Sequence, residues 1–180
     1  MRVHILALDT GHEPHALRAA CECWGAEVTA TWVGNSAQIV DFLSGKPPHD
    51  LILLAGHGAP DAVRLPPLEE SVAATYPYRD RITATQFRAF VRLEGACVVS
   101  LCCESGTPAM ADAFLSGGAS LYIGPSGSPD GSAALMYALE LLYAVLVERK
   151  PPGRGHADAI RHADDRAGFV AYGPGSAPEA

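Results

Sequence analysis

A chain of 180 residues, 48% apolar and 18% charged, has the composition of one folded unit rather than a disordered segment. Its formal charge of −7, with thirteen scattered Lys and Arg, argues against a nucleic-acid partner, which needs clustered cations. No run approaches the roughly 20 apolar residues of a membrane span, and the first apolar run is too short for a signal sequence, so the expected location is cytoplasmic.

From the N-terminus, Val3 to Asp9 reads as a short buried strand ending in Asp-Thr-Gly. Glu13 to Trp24 has helical spacing of Ala16, Ala19, Ala20 and Cys23 and stops at Gly25. Val28 to Val33 is a second strand, and Asn35 or Ser36 caps a helix through Leu43. Asp50 to Ala55 is a third strand. Four prolines from Pro60 to Arg81 predict a long surface excursion, in which Tyr76 and Tyr78 either form a binding surface or pack it onto the sheet. Thr83 or Thr85 starts a helix reaching Leu93, and Ala96 to Leu101 is a fourth strand. A helix from Pro108 to Leu115 precedes a fifth strand at Ala119 to Ile123. Ser132 to Glu148 is a long apolar helix, and a last helix spans Gly155 to Arg166. The expected domain runs over residues 1–168, with 169–180 a disordered tail.

Strands alternating with helices predict an α/β fold, with a mostly parallel sheet sandwiched by helices in three layers. In such sheets chemistry gathers at the carboxyl ends of the strands. There the sequence places His57 between two glycines, and Cys103 after the fourth strand. An imidazole beside a thiol raises its thiolate fraction. The backbone N–H groups of Gly58 and Cys103 are candidates for an oxyanion hole. Five cysteines are an odd number, which speaks against a disulfide framework. Cys21-x-Cys23 and Cys102-Cys103 lack zinc-knuckle spacing, so neither metal nor cofactor is expected.

The segments LILLAGHGAP, ACVVSLCCESGT and MADAFLSGGASLYIGPSGSPDGSAALMYALELLYAVL resemble the CHAT domain, a branch of the caspase-like cysteine peptidases. The likeness covers about residues 50–165. It implies a caspase-like three-layer architecture with Cys103 as nucleophile, His57 as general base and a protein or peptide as substrate. His57 precedes Cys103 by 46 positions, near the roughly 50 that caspase motifs carry.

Several assignments stay open. Adjacent strand residues face opposite sides, so only one of Cys102 and Cys103 faces His57, and Cys102 is the alternative nucleophile. Asp130 is a candidate for binding a basic substrate side chain, or else a helix cap. Asp9 is a candidate substrate contact at the first strand end. Edge pairing of the sheet allows a homodimer. Besides an endopeptidase, the pattern admits a silent caspase-like module that binds a protein partner, or a flavodoxin-like ligand-binding domain. An amidotransferase is disfavoured because His here precedes Cys.

Overall fold

The structure is a computed structural model that describes residues 1–8, 11–162 and 164–174. In chain order its elements are β1 (Arg2–Leu8), α1 (Glu13–Cys23), β2 (Glu27–Val33), α2 (Ser36–Ser44) and β3 (Leu51–Gly56). There follow β4 (Gly58–Ala59), β5 (Ala62–Arg64), α3 (Glu70–Ala73), β6 (Arg81–Thr83), α4 (Ala84–Phe90) and β7 (Cys97–Ser100). The chain continues through α5 (Pro108–Ser116), β8 (Leu121–Pro125), α6 (Gly131–Leu146), α7 (Pro152–Ala159) and β9 (Phe169–Tyr172).

Six strands form one sheet in the order β2-β1-β3-β7-β8-β9, parallel except for the antiparallel β9. Alternation along the strands sorts the core into two layers. Leu6, Leu8, Ile52, Leu54 and Val98 pack with Ile39 of α2, Phe87 of α4 and Phe114 of α5. Val3, Ile5, Leu51, Leu53 and Val99 pack with Leu17 of α1 and Tyr137 and Leu141 of α6. Burial on both faces explains why β3 is a continuous apolar run, and why β1 and β7 are near-continuous ones carrying the buried polar residues His4 and Ser100, rather than alternating strands. The α/β expectation of a mostly parallel sheet between helical layers therefore holds.

Helix starts follow local chemistry. Asn35 with Gln38, and Thr83 with Gln86, form capping boxes at α2 and α4. Thr107 caps α5 with Pro108 behind it. The excursion after β3 is not structureless: β4, β5 and β6 make a small antiparallel sheet, and Ser36 Oγ bonds both the N–H and the carbonyl of Tyr78.

Three expectations need correction. The fifth strand starts at Leu121 rather than Ala119, because Ala119 N–H still closes the end of α5 on Phe114. The last helix stops at Ala159 and is followed by a 3-10 turn at Asp165–Gly168. The tail expected from residue 169 begins instead with β9, because Phe169 is buried with its ring stacked on Tyr137 at 3.7 Å. Residues 175–180 lie outside the described residues.

One core polar group carries a pH consequence. His4 is buried on β1, with Nε2 3.0 Å from Thr31 Oγ1 and its ring 3.9 Å from that of Phe42. Burial, then the nearby charge of His49, lowers its pKa from 6.5 to about 4. His49 is lowered too, by burial and then by Arg2, against the opposing Asp50 and Glu27. The folded chain thus keeps His4 neutral where the unfolded chain takes up a proton. This group's contribution to stability is present above pH 6.5 and is lost as pH falls toward 4. Denaturant midpoints measured across that window should fall more steeply for the native chain than for His4→Gln; parallel profiles would show that His4 is not the titrating group.

Candidate active site

The site is built by the β3–β7 ladder. Each β7 residue pairs with the β3 residue 46 positions before it, from Leu51 with Cys97 to Leu54 with Ser100. Cys103 follows His57 by the same 46 positions. The ladder ends at Leu54 and Ser100, three residues short of His57 and of Cys103, so both strands deliver these residues to the same end of the sheet. Leu101 N–H to Leu54 O, at 2.8 Å, extends the pairing one step toward them.

Backbone contact brings Gly58 against the Cys103 peptide. A Cβ on Gly58 would lie 2.0 Å from Cys103 O and 2.8 Å from Cys103 N, so a glycine is required where the hairpin crosses the Cys103 loop. His57 is exposed, and its carbonyl accepts the Arg64 N–H at 3.0 Å. That bond makes Gly58 and Val63 a non-hydrogen-bonded pair, turning the Gly58 N–H away from β5.

The vicinal cysteines part as alternation requires. Cys102 is fully buried in the layer under α2, α4 and α5, with Sγ 3.8 Å from Leu54 O. Burial pushes its thiol up to about 12, as it does those of Cys21 and Cys97. Cys103 is half-buried, so it is the accessible thiol of the two, and the Cys102 alternative is not supported.

The loop after Cys103 is fixed from behind. Glu104 takes a left-handed φ of 57° and sends its N–H 2.8 Å to Gly127 O. Ser105, fully buried, has its Oγ 2.7 Å from both Ser100 Oγ and Cys102 O. Tyr122 donates to Ser105 O at 2.9 Å and Tyr172 to Gly106 O at 3.1 Å. Gly106 N–H bonds Pro125 O at 2.7 Å, at a position where a Cβ would strike Gly124 O. No sequence pattern marks this network, because its members become neighbours only once β7 and β8 are paired.

Beside Gly127 lies a cavity of about 270 Å³, lined by Pro125 to Pro129, Asp164, Asp165 and Gly168. Asp130 is not in its wall. Asp130 instead caps α6, accepting the Ser132 N–H at 2.8 Å, which is the other role open to it from sequence. The cavity's carboxylates were missed because they follow α7, far along the chain. Asp164 is held by Arg166 well down, at about 2, and Asp165 accepts the Asp130 N–H. Asp9 lies outside the described residues. Among those residues no cluster of three or more His, Cys, Asp or Glu is arranged for a metal. No helix is long and apolar enough to cross a membrane.

No family model and no curated protein matches the chain. Solved structures do. The Arg-specific cysteine proteinase gingipain R superposes with a TM-score of 0.63 at 13% identity over 97% of this chain and 46% of that one. The complex of Porphyromonas gingivalis RgpB pro- and mature domains gives 0.61 at 12%, over 96% and 47%. Saccharomyces cerevisiae separase, in its complex with securin, gives 0.62 at 13%, over 96% of this chain and 11% of that one. The chain thus spans less than half the length of each, and what it shares with them is the caspase-like fold.

A side chain at residue 58 would collide with the Cys103 carbonyl. Gly58→Ala is expected to lose about 1–3 kcal/mol in chemical denaturation, the usual cost of overpacking, and to change the alkylation rate of Cys103. An unaltered midpoint and rate would mean that the two strand ends do not meet.

Proposed function

We propose that this chain is a cysteine peptidase of the caspase-like fold and of the CHAT type, acting on protein or peptide substrates in the cytoplasm. The observation that carries the reading is that β3 and β7 pair at the same 46-residue offset that separates His57 from Cys103, with Gly58 lying against the Cys103 peptide. His57 takes the Cys103 thiol proton, and the thiolate adds to the scissile carbonyl. The resulting oxyanion receives the N–H groups of Gly58 and Cys103. His57 then protonates the departing amine, and water, deprotonated by the same imidazole, hydrolyses the thioester.

In this reading the cavity beside Gly127, tied to the Cys103 loop by the Glu104 N–H on Gly127 O, receives the side chain before the scissile bond. The Asp165 carboxylate in its wall, with that of Asp164 offset by Arg166, disfavours an acidic side chain there and favours a basic one. The Arg specificity stated for gingipain R agrees with that polarity. Asp130 acts on this pocket through its N–H, which holds the Asp165 carboxylate, and not as the charge that meets substrate.

A peptide library with each residue in turn before the cleaved bond tests this reading. Lys or Arg peptides are expected to be cleaved ahead of Asp or Glu peptides. Cys103→Ala should abolish cleavage, and His57→Ala should lower kcat/KM by about 10²- to 10⁴-fold, the range for losing a general base. Cleavage that survives Cys103→Ala would overturn the reading. No cleavage, with Cys103 equally reactive in the native chain and His57→Ala, would favour a silent module.

A further inference from the structure

Regular pairing between the strands that carry His57 and Cys103 stops below them. The ladder ends at Leu54 and Ser100, and one further bond joins Leu101 to Leu54. Above that point the contact of Gly58 with the Cys103 peptide is steric: it limits how near the loops come but does not hold them together. Among the described residues, the hydrogen bond that joins the two loops directly is from Thr107 Oγ1, which donates to Asp61 Oδ1 at 2.5 Å. Asp61 lies four residues after His57 and Thr107 four after Cys103, so this pair repeats the 46-residue offset of the strands beneath it.

Both partners are anchored. Asp61 turns the β4–β5 hairpin with a φ of 54°, a left-handed conformation that glycine or asparagine adopts more readily. Its carbonyl accepts the Ala84 N–H at 2.8 Å, tying the hairpin tip to the start of α4. The hairpin is only two pairs long and closes on the His57 carbonyl, so displacing Asp61 displaces the backbone of His57. Thr107 is the N-cap of α5, where its Oγ1 also accepts the Met110 N–H at 3.2 Å. A carboxylate at a strained position, bonded to a hydroxyl already used as a cap, joins the two loops through the rigid end of a helix.

We propose that Asp61 and Thr107 are a positioning pair whose hydrogen bond sets the spacing of His57 and Cys103. The assignment rests on the peptidase reading above. Neither residue touches substrate; each acts through the loop it holds.

The test is the rate of Cys103 alkylation by iodoacetamide across pH 5 to 9, with labelled sites resolved by mass spectrometry because Cys23 is also exposed. Asp61→Gly removes the acceptor while relieving the left-handed φ and leaving the α5 cap intact. It should slow labelling at neutral pH about tenfold, the scale of a sub-ångström misplacement, flatten the pH profile toward that of His57→Ala, and leave the melting temperature nearly unchanged. Asp61→Asn and Thr107→Ser retain an acceptor and a donor and should restore the native profile. Thr107→Asp, which keeps the cap but sets two carboxylates against each other, should show at least the same loss.

Native labelling in Asp61→Gly, with slow labelling in His57→Ala, would overturn the positioning pair and leave the peptidase reading intact. Equal loss in Asp61→Asn and Asp61→Gly would assign the effect to charge and overturn the bond. If His57→Ala labels like the native chain, the dyad and this proposal fall together.

Discussion

Much of this molecule depends on the offset at which β7 lies beside β3. A parallel ladder has a side-chain period of two, so a slip of one residue would exchange every inward and outward position on β7. It would turn Cys102 toward the layer under α1 and α6 and push Cys103 into the core. The offset is held because both strands are buried on both faces: Leu51, Leu53, Cys97 and Val99 fill one layer, Ile52, Leu54 and Val98 the other. The placement of His57 and Cys103 is therefore enforced by packing of apolar side chains that have no chemistry of their own.

Beyond the ladder, polar bonding takes over from packing. Glu104 in a left-handed conformation costs about 1–2 kcal/mol, and a typical intramolecular hydrogen bond returns roughly 1 kcal/mol. The turn is supported by the Glu104 and Gly106 amides and by the hydroxyls of Ser105, Tyr122 and Tyr172, which together outweigh that strain. The Cys103 loop is thus a backbone frame braced by hydrogen bonds, with one half-buried thiol. The His57 loop is its complement, an exposed side chain on a hairpin braced at its tip.

The sequence discloses those features whose cause is local or periodic. The apolar runs ending at Ala55 and Leu101 announce β3 and β7, and the glycines around His57 mark a close approach of backbones. The 46-residue spacing of His57 and Cys103 is visible in the chain, although that it equals the register of the strands is visible only once they are paired. Asp130 could not be settled because a turn before a helix wants an aspartate whether it caps or binds. The cavity wall at Asp164 and Asp165, and β9 at Phe169, were hidden for a different reason. A four-residue strand in a segment rich in glycine and charge has too little pattern to stand out, and its cause is the Tyr137 ring on another element.

The position of β9 also orders events during synthesis. The strands that lead to His57 and Cys103 leave the ribosome well before the segment from Asp164 to Tyr172, so β8 is synthesised before its antiparallel partner β9. One wall of the cavity beside Gly127, and the Tyr172 hydroxyl that braces Gly106, arrive only with that last segment. A nascent chain therefore carries the Cys103 thiol and the His57 imidazole before it carries the residues that complete the cavity wall and the brace on Gly106. The cavity beside Gly127 waits on a segment synthesised after every parallel strand of the sheet.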